Sequence, residues 1–459
     1  MYCIIAAVSK NYVIGKNNSL PWNISDELKY FKNITTNGKN CLIVGRKTYE
    51  TLPNLKNRDI FILTKNSSFK SKEESDKVFF SINSLLEYLK DKEYNKKIII
   101  GGSAIYKSFL EKDIIDEIYL SKINIDIEGD CYFPDNSLDK FSINTIDKKV
   151  SIDNNSHRYV DINYIHLKRT NNNSERQYLN LVKNILENGN ETIDRTNTGT
   201  ISVFGNFMKF NLQNGFPLLT TKKMFSRGII EELLWFLSGS TNANILTEKN
   251  VHIWDGNTSR ECLDSLGFTN RMVGDGGPIY GFQFRHFGAE YKDCNTDYTN
   301  CGIDQLKNAI HLIKTQPNSR RIIINLWDSS KIHEMVLPPC HILYNFKVEG
   351  DKLSLCMYQR SGDIGLGVPF NIASSALLVH IIAKLTNLKV GFLTHFIGDA
   401  HIYKNHVDAL KKQLKNKLFY LPKLKIKNRN QIQIEDFESS DFEIIGYESN
   451  DKIHMEMAV

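Results

Sequence analysis

Between Lys168 and Ser174 the chain reads KRTNNNS, seven residues without one apolar anchor. A stretch of this kind cannot be drawn into a core, so the residues on its two sides must each bury hydrophobic surface of their own. The 459 residues exceed what a single core ordinarily supports, and both sides are long enough to hold one. The expected organisation is a first domain over residues 1–168, a linker over 169–174 and a second domain over 175–459. A linker of this length reaches at most about 20 to 25 Å, which should keep the domains close together.

The two sides carry different patterns. In the first, short apolar runs alternate with amphipathic stretches, as in an α/β domain. Strands are predicted at Cys3–Val8, Cys41–Val44, Ile60–Leu63, Ile98–Ile100 and Glu117–Ile123. Helices are predicted at Ser25–Asn33, Ser81–Lys92 and Ser103–Leu110, with Ser25 and Ser103 as N-caps, and Lys65–Lys77 reads as a polar surface loop. The second side opens on an amphipathic helix, Glu175–Asn188, and continues with a buried helix at Ile229–Leu237. Strand-like runs follow at Arg321–Trp327 and His341–Val348, then a very apolar helix at Ala373–Leu385. No internal repeat relates the sides, so they are different domains.

With 41% hydrophobic and 24% charged residues the chain falls in the globular class, and no apolar run approaches the roughly 20 residues of a membrane span. The opening MYCIIAAVSKNYVIG lacks a basic n-region and a small-residue cleavage site and reads as a buried strand; no membrane partner and a cytoplasmic location are expected. Eight cysteines are scattered singly without CxxC spacing, so neither disulfides nor a metal site is expected. The net charge of +6 is thinly spread. Its one basic run, Lys423–Arg429, fits a solvated strand face better than a nucleic-acid site, and no nucleic-acid partner is expected.

Two groups of residues carry chemistry. In LPWNISDELKYFK, Glu27 lies on a helix following a Pro-Trp turn, on the face that holds Phe31. A carboxylate beside an aromatic ring is a candidate for proton management, although a Glu in a first helical turn often only complements the dipole. KIIIGGSAIYKSFL runs strand, Gly101-Gly102, helix, a turn whose backbone amides can approach a phosphate; without a full GxGxxG it also fits a plain structural turn. IVGRKTYETL adds Arg46, Lys47 and Thr48 at a second such turn, and the pair favours a phosphorylated dinucleotide.

The segments IIAAVSKNYVIGKNNSLPWN, GRKTYE, IGGSAIY and DCYFPD, in this order, resemble dihydrofolate reductase across nearly all of residues 1–168. The resemblance implies a mixed sheet flanked by helices, with Glu27 holding the pterin and supporting protonation at N5 while NADPH delivers hydride to C6. It implies that Arg58 grips the glutamate carboxylate of folate, with Ile5, Phe31, Leu55 and Ser121 lining the pocket. For NADPH it implies Ala7, the loop from Gly15 through Leu20 to Trp22, Arg46, Lys47, Thr48, Thr64, Lys65, Gly101, Gly102, Ser103, Ala104, Ile105 and Tyr106. Ser121 stands where Thr is more usual, and Val44 where Met often precedes the Gly-Arg.

In the second group, LPPCHILYNF is followed by YQRSGDIGLGVPFNIAS. Two prolines fix the backbone before Cys340, and Arg360 arrives about twenty residues later, as on an antiparallel neighbour. A guanidinium beside a thiol favours the thiolate and makes a nucleophile, whereas Cys3, Cys41 and Cys356 read as inert buried thiols. Arg195 in DRTNTGT, Arg320-Arg321 in NSRRIII and Arg360 would together suit a dianionic phosphate.

With ELLWFLSGSTN, HIWDGN, GPIYGFQFRHFG, GDAHIYKNHV and the ending KIHMEMAV, these segments resemble thymidylate synthase over essentially all of residues 175–459. The resemblance implies an α+β domain in which Cys340 adds to C6 of dUMP and C5 then attacks 5,10-methylenetetrahydrofolate, which leaves as dihydrofolate. For dUMP it implies Arg195, Gln359, Arg360, Ser361, Gly362, Asp363, Asn371, His401 and Tyr403, with Arg320 and Arg321 supplied by a second subunit, hence a homodimer. Asn371 would read the uracil edge, and Glu232 and His341 would manage protons. Trp254, Asn257, Asp363, Phe370 and Ala458 would contact folate, with Met457 to Val459 closing over the site. Phe284, Asn345 and Ser375 stand where Trp, Gln and Tyr are common. Since the second domain would release the substrate of the first, a bifunctional enzyme is expected; the alternative is a silent scaffold or an RNA-binding regulator that has kept the fold.

Overall fold

The computed structural model describes residues 1–55, 58–134, 138–170, 174–193, 198–428 and 433–456. Two compact units result, one of residues 1–171 with 418–420, the other of 172–417 with 421–459.

The first unit contains β1 (Tyr2–Ser9), β2 (Val13–Gly15), α1 (Ser25–Thr36), β3 (Asn40–Gly45), α2 (Arg46–Thr51), β4 (Asp59–Leu63), β5 (Lys77–Phe79), α3 (Ile82–Lys90), β6 (Lys96–Gly101), α4 (Ser103–Glu111), β7 (Glu117–Ile123), β8 (Cys131–Tyr132), β9 (Phe141–Asp153) and β10 (Arg158–Arg169). Eight strands form one mixed sheet in the order β5-β4-β3-β6-β1-β7-β10-β9. The first six are parallel neighbours, and β10 and β9 add antiparallel at one edge. The parallel strands are covered on both faces and therefore read as unbroken apolar runs: all six residues of β3 are buried. Ser25 and Ser103 do not cap their helices. Ile24 and Gly102 occupy those positions without a side-chain bond, while Ser81 does cap α3, its Oγ accepting from Ser84 N at 3.1 Å.

The second unit contains α5 (Ser174–Asn188), β11 (Asn190–Thr192), β12 (Thr200–Asn211), α6 (Ser226–Leu237), α7 (Asn244–Glu248), α8 (Arg260–Ser265), α9 (Tyr280–Arg285), α10 (Gln305–Thr315), β13 (Ile323–Asn325), β14 (His341–Glu349), β15 (Lys352–Asp363), α11 (Gly367–Leu385), β16 (Lys389–Tyr403), α12 (Val407–Gln413), β17 (Lys423–Ile426) and β18 (Phe442–Ile445). Its six-stranded sheet runs β11-β12-β16-β15-β14-β13, with β15 and β16 parallel and joined through α11. One face packs on helices. Among the described residues α11 alone is long and apolar enough to cross a membrane, which corrects the expectation that no run approached that length; most of it is buried in the core of this unit. The predicted strand Arg321–Trp327 is confined to β13, although Leu326 N still donates to the Ile342 carbonyl at 2.9 Å; at its outer edge the Gln305 side chain takes both backbone groups of Asn325, donating to its carbonyl at 2.6 Å and accepting from its N–H at 3.0 Å. Cys356 is exposed on the uncovered sheet face rather than buried, since it alternates with the buried Leu355 and Met357.

Glu175, at the start of α5, fixes the loop before α6. Its buried carboxylate accepts from Thr220 N and Thr221 N at 2.8 Å each and from both threonine hydroxyls at 2.6 Å. Glu175→Ala leaves four donors without their acceptor and is expected to destabilise this unit by about 3 kcal/mol or more, read as a lower urea midpoint for its unfolding transition.

Candidate active sites

Parallel strands gather their functional groups at their C-terminal ends, and both units follow this rule. In the first, Glu27 is the third residue of α1 and only 5% exposed. Burial pushes its carboxyl up to about 7, and the nearby Ser121 hydroxyl offsets part of that rise without reaching hydrogen-bond geometry. Asp26 turns away to Lys149 at 2.9 Å and Ser151 at 2.8 Å. Ser121 pairs across the sheet with Ala7 on one side and Tyr164 on the other. Ser121 Oγ, Tyr164 OH and Trp22 Nε1 are all buried without a hydrogen-bond partner, and Trp22 and Tyr164 share one apolar cluster. Buried polar atoms are rarely left so, and three of them gathered around a protonatable carboxyl make a place for a polar ligand. Ile5, Phe31 and Leu55 pack into an adjoining cluster, and Arg58 donates to Thr35 Oγ1 at 2.8 Å.

The two donor-rich turns meet because β3 and β6 are neighbours. A Cβ on Gly101 would come 3.0 Å from Thr48 Cγ2, and one on Gly102 3.0 Å from Thr48 Oγ1, so bare backbone gives this approach its room. Lys47 and Lys65 are exposed, whereas Arg46 is turned to Glu50 at 2.8 Å. Thr64 Oγ1 accepts from Asn66 N at 3.0 Å. Ser103 Oγ donates to the Tyr132 carbonyl at 2.6 Å, and Tyr106 OH to the Ile5 carbonyl at 2.8 Å, tying α4 to β1. Ile105 packs against Gly45, while Ala104 and Leu20 are exposed and Gly15 lies in the short β2–β8 ladder.

In the second unit Cys340 immediately precedes β14, and β15 returns antiparallel beside it with Arg360 N donating to the Cys340 carbonyl at 2.9 Å. The guanidinium is locked by the Pro339 carbonyl at 3.0 Å and the Pro338 carbonyl at 2.9 Å, which leaves Nη2 3.8 Å from Cys340 Sγ. A fixed positive charge therefore stands beside the sulfur. Cys340 N donates to Tyr280 OH at 2.7 Å. Ser361 and Asp363 on β15 pair with Asp399 and His401 on β16, and His401 Nδ1 lies 3.1 Å from Asp399 Oδ1 and 3.5 Å from Ser361 Oγ. The Tyr403 ring stands edge-on to His401. Gly362 has no side chain to crowd the Gln359 amide, whose Nε2 donates to Asn371 Oδ1 at 2.9 Å.

Glu232, on α6, accepts from Trp254 Nε1 at 2.8 Å, and burial lifts its carboxyl to about 7 with that bond opposing. His341 is held down to about 4 by burial, its Nδ1 3.0 Å from Tyr344 OH, with the Asn371 side chain partly opposing the shift. Asp363 accepts from Gly365 N at 2.8 Å, and Phe370 and Asn257 are partly buried. Arg320 and Arg321 are exposed, and neither side chain has a partner among the described residues. Arg195, Ala458, Met457 and Val459 lie outside the described residues. Of the three departures, Asn345 donates to the Ile322 carbonyl at 3.2 Å, Phe284 is fully buried against Tyr344, and Ser375 is buried with its Oγ unpaired.

Tyr280, Tyr344 and Lys222 join the site without a signal of their own in the sequence: Tyr280 lies within GPIYGFQFRHFG and Tyr344 within LPPCHILYNF, where an aromatic residue reads equally well as core. Lys222 is buried, pushed down to about 8, and donates to the Gly365 carbonyl; a lysine in TTKKM gives no sign of burial.

A unit with a buried protonatable carboxyl beside a glycine-turn cradle, and another with a cysteine against a locked arginine, define an enzyme of two chemistries. The dihydrofolate reductase family matches residues 1–169 and the thymidylate synthase family residues 176–459. The chain is 44% identical to a bifunctional dihydrofolate reductase-thymidylate synthase of Paramecium tetraurelia, covering all of this chain and 99% of the relative. It is 42% identical to the one of Zea mays (100% and 97%) and 40% identical to the one of Plasmodium berghei (92% and 84%). The chain belongs to the bifunctional dihydrofolate reductase-thymidylate synthase family.

Proposed function

We propose that this chain converts dUMP to dTMP with 5,10-methylenetetrahydrofolate in its second unit and reduces the resulting dihydrofolate to tetrahydrofolate with NADPH in its first. The observation that carries the reading is that each unit keeps one buried carboxyl, Glu27 and Glu232, near pH 7, where it can hold or release a proton under working conditions. In this reading the domains are residues 1–168 and 175–459, joined by 169–174.

In the synthase unit Cys340 adds to C6 of dUMP, and the Arg360 charge stabilises the sulfur as it attacks. Charge pushed toward C4 of the ring meets the Asn371 amide. Glu232 and the neutral His341 hold and pass protons, while Arg195, Arg360 and Ser361 bind the phosphate and His401 and Tyr403 the ribose. In the reductase unit Glu27, largely protonated below pH 7, holds the pterin among the unpaired Ser121, Tyr164 and Trp22 groups and supports protonation at N5. Arg58 binds the glutamate carboxylate. The bare Gly101-Gly102 backbone and the exposed Lys47 and Lys65 fit a phosphorylated dinucleotide, and NADPH bound there supplies hydride. Purified protein tests both activities: NADPH oxidation with dihydrofolate, and dihydrofolate formation from dUMP. A chain showing neither is the scaffold of the alternative reading.

A homodimer through the synthase unit, working in the cytoplasm, belongs to the same proposal. Phe207, Phe396, Tyr358 and Leu343 are successive cross-strand partners on β12, β16, β15 and β14, and all four are exposed, Phe207 by 64%. An apolar row of this extent favours a protein partner, and a second copy would also bring the unpartnered Arg320 and Arg321 to a phosphate. Phe207→Asp is expected to give monomers in sedimentation equilibrium and to cut synthase turnover by about tenfold or more, with reductase turnover kept.

A further inference from the structure

Behind Asn371 lies a buried chain of hydrogen bonds that starts at His395, on β16. His395 is fully buried; its Nε2 is 2.8 Å from Gln359 Oε1, and its Nδ1 has no partner. The directions of these bonds follow from one backbone group. The Ser361 carbonyl can only accept, so the Gln359 atom 2.9 Å from it must be the amide nitrogen. The Gln359 oxygen then faces His395, whose Nε2 must carry a proton to donate. The second Gln359 amide hydrogen goes to Asn371 Oδ1 at 2.9 Å, so the Asn371 nitrogen is the atom left as a donor, on an amide that also meets the neutral His341. With Nδ1 unpaired, the neutral Nε2–H ring leaves no buried N–H unsatisfied, whereas the other tautomer leaves one and also sets two acceptors against each other. Burial keeps the ring neutral, pushed down to about 3.

We propose that His395 is a positioning residue that, through Gln359, fixes which way the Asn371 amide faces and so makes the site select a pyrimidine with a carbonyl at C4 over one with an amino group there. This rests on the synthase reading. A donor aimed at C4 pairs with the carbonyl of dUMP and meets another donor in dCMP. Without the His395 donor the buried Gln359 oxygen is left without a partner, the Ser361 carbonyl alone holds the amide in its sense, and the hold on Asn371 is weakened so that its amide can present either atom.

Neutron diffraction on the full-length enzyme exchanged into deuterium oxide tests the first half without any variant: deuterium is expected on His395 Nε2, and deuterium on Nδ1 alone overturns the proposal. The second half is tested by calorimetric affinities for dUMP and dCMP. His395→Phe keeps a ring without a donor and is expected to narrow the dUMP:dCMP ratio by about tenfold or more, while His395→Gln restores a donor near the Nε2 position and is expected to recover most of it. A purely structural role lowers the melting temperature and both affinities together; an unchanged ratio in His395→Phe therefore overturns the proposal. If that variant fails to fold, the neutron map and His395→Gln decide. No dUMP binding by the unaltered enzyme overturns the synthase reading itself, a different result from an enzyme that binds dUMP with selectivity indifferent to residue 395.

Discussion

Cys340→Ser is expected to lower dTMP formation by on the order of a thousandfold or more while NADPH-dependent reduction of dihydrofolate continues unchanged. A serine hydroxyl is a far weaker nucleophile than a thiol near neutral pH unless a base takes its proton, and no base stands ready. His341, held down to about 4 by burial, is a weak base and is engaged with Tyr344, and Tyr280 is bonded to the Cys340 backbone. The Arg360 charge cannot substitute, because two proline carbonyls and the β14–β15 ladder fix it where it is. The same fixation predicts that the variant folds normally, so the loss is chemical. Separate assays of the two half-reactions on one preparation check it, and a synthase rate equal to that of the unaltered chain would remove Cys340 from the mechanism.

Glu27→Gln is expected to lower the reductase rate by about a hundredfold to ten-thousandfold and, without ligands, to make the first unit more stable at pH 8. The stability sign follows from protons bound. Glu27 titrates at about 7 in the folded chain against its ordinary 4.5, so between those values the folded state holds a proton that the unfolded state has released. Stability is then full below pH 4.5 and is lost as pH rises through 7, reaching a cost of about 3 kcal/mol once the buried carboxylate is ionised. Glutamine never ionises and escapes this cost. Urea midpoints at pH 5 and pH 8 read the effect, and a variant equally destabilised at both would show that Glu27 is not strained by burial. The unaltered reductase rate should also fall as pH rises past 7, while the residual rate of the variant stays flat.

The parallel strands were legible because burial on both faces writes itself as consecutive apolar residues, as in CLIVG or IIAAV. The β9–β10 hairpin was not. Val150, Ile152 and Tyr159 are exposed there among lysines and aspartates, so the alternation that marks a strand is broken, and the hairpin is anchored to the sheet only through β10 and the distant β7. At the synthase site the Cys340–Arg360 relation could be read because a hairpin near residue 350 folds the two strands back on each other. The cluster of Glu232, Trp254, Tyr280, His341 and Tyr344 is assembled from several separate segments, and no local pattern announces that one carboxyl among them is held near 7. Family resemblance supplied Glu232 and His341; it carried no information on what holds them.

The close approach at the Gly-Gly turn bears on how this chain can change over generations. Gly101 has φ +152°, where a side chain is strained whatever its neighbours, but Gly102 does not, and its only near obstacle is Thr48 Oγ1. Gly102→Ala is thus a change whose effect depends on residue 48. Made first, it meets the hydroxyl; made after Thr48→Ala, it meets nothing. The order of two mutations separated by more than fifty positions therefore decides what the first of them meets, and a lineage that takes the open order gives up a donor in the cradle before it gains anything in return.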